Sequence, residues 1–225
     1  MKRIATIHSD FPEKFGIPRQ SGLVRELQAR ITFEEGYRDP EMLRGLEDFD
    51  YLWLLWVFEN KDDTWHPTVR PPRLGGNKRM GVFATRSPFR PNPIGLSCVR
   101  LEKTEITEDG PVITVSGADL RDQTAILDIK PYLPYADAHE GARSGFVQGA
   151  VSQGDPVSVE IPEHLLEKIE PEKREALRGV LAQDPRPAYQ QDAERIYGMG
   201  FAGKQIRFFV SDGKLTVVAV EEETK

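Results

Sequence analysis

Guanidinium side chains recur beside short polar ones at two places in this sequence. Arg19 precedes Gln20, and Arg86 and Arg90 are interleaved with Ser87 and Asn92. A guanidinium presents a rigid fork of donors that fits a carboxylate or phosphate, while amides and hydroxyls add orienting hydrogen bonds. The mixture suits a zwitterionic or phosphate-bearing ligand. A third cluster, Asp128-Ile129-Lys130-Pro131-Tyr132, sets an acid, a base and an aromatic at the end of an apolar run. Residue types alone favour an ordinary strand end there, with a local ion pair worth about 0 to 1 kcal/mol if exposed.

Other chemistries lack their residues. No G-x-G-x-x-G follows a strand, and Leu74-Gly75-Gly76-Asn77 is too short and lies in a proline-rich loop. No G-x-x-x-x-G-K-[ST] is present, which argues against phosphoryl transfer by a P-loop. The histidines, His8, His66, His139 and His164, never take H-E-x-x-H spacing. The single cysteine, Cys98, leaves no disulfide framework, no thiol cluster for a metal and no zinc deaminase site. Asp184-Pro185-Arg186-Pro187-Ala188-Tyr189 echoes the D-P-P-Y loop of adenine-amino methyltransferases. That loop follows a strand of a doubly wound sheet, whereas a helix precedes it here, so the echo is rejected.

Net charge is −6, which taken whole argues against a nucleic-acid partner. Its distribution argues otherwise. From position 64 to 101 there is no Asp or Glu, while Arg70, Arg73, Lys78, Arg79, Arg86, Arg90 and Arg100 contribute +7, leaving −13 on the rest. Such a segment can supply a footprint for phosphates; equally, its cations can pair with carboxylates elsewhere in the fold. No apolar run approaches the roughly 18 residues that cross a bilayer. The opening MKRIATIHSD has no apolar stretch after its basic residues, which predicts no secretory signal and a cytoplasmic protein.

Short β-like runs must carry these groups. The pattern predicts strands over 3–8, 24–33, 49–58, 80–84, 96–101, 112–117, 126–129 and 157–161, with the run 51–58 (YLWLLWVF) buried. Asp39-Pro40-Glu41 predicts a short helix capped by Asp39 and ending near Gly45. Asp109-Gly110 and Asp212-Gly213 each separate two apolar runs as hairpin turns do. An antiparallel barrel or sandwich follows from this spacing. Near residue 162 the texture turns helical, over 162–183, divided at Pro171, and a hairpin of 205–210 and 215–220 closes the chain. Segments 66–77 and 86–93, rich in Pro, Gly and Arg, are stiff without being regular. They are either functional loops or structural crossovers. Residues alone support a β-rich globular protein with a basic, stiff surface.

Motifs carry the reading further. Lys14-Phe15-Gly16-Ile17-Pro18-Arg19-Gln20, Arg44-Gly45-Leu46-Glu47 and Arg70-Pro71-Pro72-Arg73-Leu74-Gly75-Gly76-Asn77 occur in that order. After them come Gly81-Val82-Phe83-Ala84-Thr85-Arg86-Ser87-Pro88-Phe89-Arg90-Pro91-Asn92-Pro93-Ile94-Gly95, then Asp128-Ile129-Lys130-Pro131-Tyr132-Leu133-Pro134-Tyr135, and finally the run from Asp184 to Tyr189. With these segments the chain resembles, from end to end, the tRNA (adenine-37)-N6 methyltransferases, also called the TsaA-like or YaeB-like family. One segment departs: Asp122-Gln123-Thr124-Ala125 stands where the family has D-G-T-P, which changes the dihedrals the turn prefers.

The resemblance implies a single antiparallel β-barrel working as a homodimer, with the cofactor near the subunit interface. With the helical texture and closing hairpin, read as a small α+β C-terminal appendage starting near residue 156, the chain is expected to be mainly β. Residues 1–155 would form the methyltransferase domain and 156–225 a tRNA-contacting domain. The implied cofactor is S-adenosylmethionine, with no metal and no membrane, and the implied substrate is the N6 of threonylcarbamoyl-adenosine in the tRNA anticodon loop. By position, the cofactor pocket would draw on Pro18, Arg19, Gln20, Glu59, Asn60, Arg86, Leu96, Ile126, Leu127, Asp128 and Ile129. Substrate contacts would come from Arg90, Asn92, Lys130, Tyr132, Asp184, Arg186 and Tyr189. Arg186 has an alternative role against the carbonyls of a helix end, and Asp128 is a weak candidate for a base. Competing readings are a methyltransferase of the same fold for a small molecule or another RNA, a non-catalytic ligand or RNA-binding module, and a purely structural barrel.

Overall fold

Strands that alternate between core and surface side chains can curl until their first and last members pair, and this chain does so. The computed structural model describes residues 1–59, 64–71, 74, 77–148, 156–186 and 192–223. Asn60 and Tyr189 therefore lie outside the described residues, and the expected division after residue 155 adjoins one of the undescribed segments. In chain order the first strands are β1 (Ala5–His8), β2 (Gln28–Phe33), β3 (Tyr51–Val57), β4 (Thr68–Val69), β5 (Met80–Gly81), β6 (Ile94–Thr107), β7 (Gly110–Ser116) and β8 (Thr124–Pro131). A six-stranded closed barrel has the order β1-β2-β7-β6-β3-β8, with every pairing antiparallel. Among the described residues β4 and β5 pair with each other alone, as a short arm in the long β3–β6 connection. Ile7, Ile31, Leu52, Leu54, Val99, Ile113, Val115 and Ile126 fill the interior.

Where the strands differ from expectation, tertiary packing is the cause. The run 51–58 is not uniformly buried. Leu52, Leu54 and Trp56 point inward, whereas Trp53, Leu55 and Val57 stay partly accessible and Tyr51 is 42% exposed. β2 begins only at Gln28, because Val24 and Leu27 leave the barrel for a second core. The expected strand 80–84 is a two-residue bridge followed by a 3-10 turn, Val82–Ala84. Asp39 does cap a turn, accepting from the Glu41 N–H at 3.0 Å, but the turn is the 3-10 segment Pro40–Leu43. Gln123, where the family has glycine, keeps a left-handed backbone (φ 65) and hydrogen-bonds through its amide to His8 Nδ1 at 3.0 Å. The left-handed turn therefore survives the loss of its glycine, at a conformational cost of about 1 to 2 kcal/mol.

The later residues build a second sheet, β9 (Ser158–Glu160), β10 (Tyr197–Phe201), β11 (Lys204–Ser211) and β12 (Lys214–Glu222), in the order β10-β11-β12-β9. β9 joins parallel to β12, and the other pairs are antiparallel. Beside the short helix α1 (Pro134–Asp137), the helices are α2 (Glu163–Leu166) and α3 (Arg174–Ala182), separated at Pro171 as expected. Ala176, Leu177, Val180 and Leu181 give α3 one buried face. β10 was not legible in the sequence, because Gly198 and Gly200 weaken strand propensity. Gly200 serves a close approach: a Cβ there would stand 2.6 Å from Pro12 Cγ.

That approach shows how the two sheets are joined. Phe11, Val24 and Leu27, which lie between β1 and β2, are buried in the core of the second sheet with Phe201, Phe208 and Leu177. Lys173 holds Asp10 at 2.8 Å, both side chains mostly buried, and Asp10 also accepts from the Ala202 N–H at 2.9 Å through its carbonyl. On the barrel side, Ser9 donates to the Leu120 carbonyl at 2.8 Å and Asp122 N–H to that of Phe11 at 2.8 Å. The segment carrying Lys14 to Gln20 is therefore fixed at both ends.

Candidate functional site

Three irregular segments meet over one end of the barrel. The first is the Lys14–Gln20 run, the second the 85–95 run leading into β6, and the third the 119–124 turn leading into β8. They enclose a cavity of about 680 Å³, within the range of small-molecule sites. Its lining includes Pro18, Arg19, Gln20, Glu59, Arg86, Arg90, Asn92 and Leu96, so the structure brings together eight of the residues singled out by sequence. Trp56, Phe58, Gly95, Asp119 and Arg121, which sequence reasoning did not single out, complete the floor and rim.

A chain of hydrogen bonds ties the floor to the barrel core. Trp56 Nε1 donates to Ser97 Oγ at 3.0 Å, and that hydroxyl donates to Asp119 Oδ1 at 2.6 Å. The indole stacks obliquely on Phe58 at 4.2 Å between centroids. It also covers Gly95, where a Cβ would be 2.2 Å from Trp56 Cε2, so no larger residue fits beneath it. Burial pushes the Asp119 carboxyl above the ordinary carboxylate range. The Ser97 hydroxyl, the backbone N–H groups of Asp119 and Ser21, and the Arg86 guanidinium pull the other way. A carboxylate at the strand end Ser116-Gly117-Ala118-Asp119 carries no sequence signal of its own, because its role comes from Ser97 on the neighbouring strand.

Cations dominate the rim. Lys14, Arg19, Arg86, Arg90 and Arg121 face two carboxylates, Glu59 and Asp119. Glu59 is already paired with Arg121, while Lys14 Nζ donates to the Glu59 carbonyl at 3.3 Å. Arg86 donates to the Gln20 side-chain oxygen. Arg90 donates to the carbonyls of Thr85 at 3.2 Å and Ser87 at 3.4 Å, bracing the loop that holds it. Among the described residues, Arg70, Lys78, Arg79, Arg86 and Arg90 form no salt bridge; of the basic segment only Arg100 does, with Glu102 at 3.8 Å. Among the described residues, internal carboxylates therefore leave most of this segment's cations without a salt bridge.

The remaining sequence candidates lie elsewhere. Ile126 is fully buried in the barrel interior, and Leu127, Asp128 and Ile129 do not line the cavity. Asp128 pairs with Lys130 at 2.9 Å, both well exposed, which is the local strand-end ion pair. Tyr132 packs on Tyr51 and Trp53, at 6.2 and 5.8 Å between centroids, on the outer face of β3. Arg186 makes a bidentate pair with Asp184, both contacts at 2.8 Å, rather than capping helix-end carbonyls. That pairing raises the Arg186 pKa and satisfies its fork internally. Neither residue lines the cavity. No cluster of three metal-ligating side chains occurs among the described residues, and no helix among them is long and apolar enough to cross a membrane.

Fold and cavity together define a barrel protein whose cavity opens at the barrel's end, under basic loops, rather than at the crest of a doubly wound sheet. The model of the tRNA-methyltransferase O N-terminal domain matches residues 6–138, and that of the TrmO C-terminal domain matches 155–223. The chain belongs to the tRNA-methyltransferase O family. It is 43% identical over 227 residues to the tRNA (adenine(37)-N6)-methyltransferase of Escherichia coli, covering 98% of this chain and 97% of that one. A Pseudomonas aeruginosa relative, 42% identical over 203 residues (87% of this chain, 86% of that one), carries S-adenosylmethionine-dependent methyl transfer in its provisional name. A crystal structure of TrmO from Pseudomonas aeruginosa superposes with a TM-score of 0.75 at 33% identity, covering 97% of this chain and 96% of that one.

Substituting Gly95→Ala tests the floor. The added methyl must displace the Trp56 indole and break its bond to Ser97, an overpacking cost of about 1 to 3 kcal/mol. Thermal unfolding is expected several degrees lower, with a changed near-ultraviolet tryptophan spectrum; an unaltered spectrum and melting temperature would show that the indole does not rest on Gly95.

Proposed function

We propose that this chain is an S-adenosylmethionine-dependent tRNA methyltransferase that modifies N6 of the adenosine at position 37, in its threonylcarbamoyl form, and that the cavity at the barrel's end is its donor site. Near-full-length identity to the Escherichia coli enzyme supports the reaction. The observation that carries the site is the pairing of a cationic rim with one shielded carboxylate that makes no salt bridge, Asp119. S-adenosylmethionine, when bound, would supply an activated methyl group for in-line displacement, in which the C–S bond breaks, the N6–C bond forms, the N6–H proton is released to solvent and S-adenosylhomocysteine leaves.

The chain's own residues fit such a donor. Its methionyl end carries a carboxylate and a cation. Arg86 and Arg19 suit the carboxylate, while Asp119 suits the positive charge. Arg86 is already oriented by Gln20, so little entropy is lost on binding. Arg90 and Asn92, further along the same loop, face the substrate, and Arg90 suits the carboxylate of the threonyl group. N6 of the modified base belongs to a urea, whose N–H is more acidic than that of a free adenine, so the chain's main contribution is positioning. The α+β domain contacts the tRNA, with the paired Asp184 and Arg186 fixing the backbone there rather than gripping phosphates.

Two copies associate through the outer face of β3 and β6. Tyr51 and Leu96 are 42% and 48% exposed there, with Trp53 and Leu55 between them, and Leu96 also lines the cavity. Sedimentation velocity at micromolar concentration is expected to give the mass of two chains; a single-chain mass would refute the dimer. The chain acts in the cytoplasm, with its tRNA substrate.

Nucleoside mass spectrometry of tRNA from cells lacking the protein tests the reaction: N6-methylated threonylcarbamoyl-adenosine is expected to vanish and its unmethylated parent to accumulate. An unchanged nucleoside profile would refute it. Asp119→Asn tests the site. The amide still accepts from Ser97 but loses the charge, so donor affinity by calorimetry is expected to fall tenfold or more, at about 1.5 to 3 kcal/mol for a charged hydrogen bond. A carboxyl whose folded pKa is raised favours folding at low pH, and that advantage is lost as pH rises through the folded value. The variant should therefore melt no lower than wild type at alkaline pH. Wild-type donor affinity should decline as pH falls through the Asp119 pKa, a limb absent from the variant. Equal affinity in both proteins at every pH would contradict the role.

A further inference from the structure

Beyond the cavity, the basic segment carries aromatic rings that the fold does not bury. Phe83 is 78% exposed, Trp65 52% and Phe89 46%. The segment does bury apolar groups where the fold requires it, since Val82, next to Phe83, is 2% exposed. The rings ride on one interlocked ledge. β4 pairs with β5, Val82 N–H donates to the Pro67 carbonyl at 3.0 Å, and His66 N–H donates to that of Phe89 at 3.3 Å. The rings of His66 and Phe89 lie 6.3 Å apart, and Arg79 braces the arm by donating to the Thr68 hydroxyl at 2.9 Å. Thr85, Arg86, Pro88 and Arg90, interleaved with Phe83 and Phe89, line the cavity, so the ledge is its rim.

In sequence, the stretch from position 64 to 101 that carries these rings has no Asp or Glu. Aromatic faces for bases, set among cations for phosphates and held stiff before binding, are what a single-stranded nucleic acid recognises. A second copy bringing the same face by two-fold symmetry would set like charges against each other. We propose that Trp65, Phe83 and Phe89 form a stacking platform for the unpaired bases that flank the target in an RNA loop, with Arg79 and Arg70 beside it for the phosphates. This rests on the reading of the substrate as an RNA loop, and adds to it the surface that grips the loop while the target base enters the cavity.

The test measures binding of an anticodon stem-loop RNA by fluorescence anisotropy, and of the donor by calorimetry, in the full-length protein. Phe83→Ala is expected to weaken RNA binding roughly tenfold, in line with the loss of one stacked base, without changing donor affinity or melting temperature. Phe83→Trp should restore RNA binding, and Phe83→Leu should not, because leucine keeps apolar area but has no π face. Phe89→Ala should behave as Phe83→Ala does. RNA affinity unchanged in both alanine variants would overturn the platform, as would full rescue by leucine. A change of oligomeric state in Phe83→Ala with RNA affinity retained would assign the ring to a protomer interface instead, and would also overturn it. Wild-type protein that binds the donor but no RNA would bring down the RNA reading itself, a result distinct from an insensitive Phe83.

Discussion

One hydroxyl, Ser97 Oγ, stands between the packed interior of the barrel and the cavity at its end. It accepts from Trp56 and donates to Asp119. Through the first bond the indole is held over Gly95 as the lid of the core. Through the second, a carboxyl whose pKa is raised by burial keeps a hydrogen-bond partner at the cavity floor. Ser97 is itself 1% exposed. A buried hydroxyl must find both partners or cost the fold 1 to 3 kcal/mol or so, and here both partners belong to the site. Barrel closure and site geometry are therefore one arrangement.

Around that floor, the walls depend on contacts distant in sequence. The Lys14–Gln20 run has no regular structure. It is held by the burial of Phe11, Val24 and Leu27 among the apolar side chains of the second sheet, and by Asp10, which Lys173 and the Ala202 amide grip together. The α+β unit thus shapes this wall of the cavity even though none of its described residues lines it. On the opposite wall, the 85–95 loop is stiffened by proline and by Arg90, whose guanidinium is used on carbonyls of its own loop rather than on a carboxylate. Charge left unneutralised in this way is what makes the rim attractive to anions.

Much of this was legible in the residues. Alternation and the Asp109-Gly110 and Asp212-Gly213 turns gave an antiparallel β architecture, and the arginines beside Gln20, Ser87 and Asn92 do converge on one cavity. Legibility failed where the cause lies across the fold. Asp119 is an ordinary strand-end acid until Ser97, two strands' length of chain away, is placed beside it. β10 is hidden by Gly198 and Gly200, the first lying against the Gln205 side chain and the second against Pro12. Val24 and Leu27 look like the start of β2 because periodicity cannot say which of two cores takes them. Asp128 and Lys130 drew notice as a cluster and proved to satisfy each other; Asp184 and Arg186 did likewise. Local charge pairs are frequent in sequence, and only geometry shows whether the partners are spent on each other.

Whether the donor's cation meets Asp119 while its carboxylate meets the guanidinium rim is decided by a crystal structure of the protein with S-adenosylhomocysteine. The amino acid end of the ligand is expected in the barrel-end cavity, within hydrogen-bond reach of Asp119 and Arg86. Ligand bound at another surface, with this cavity empty, would contradict it.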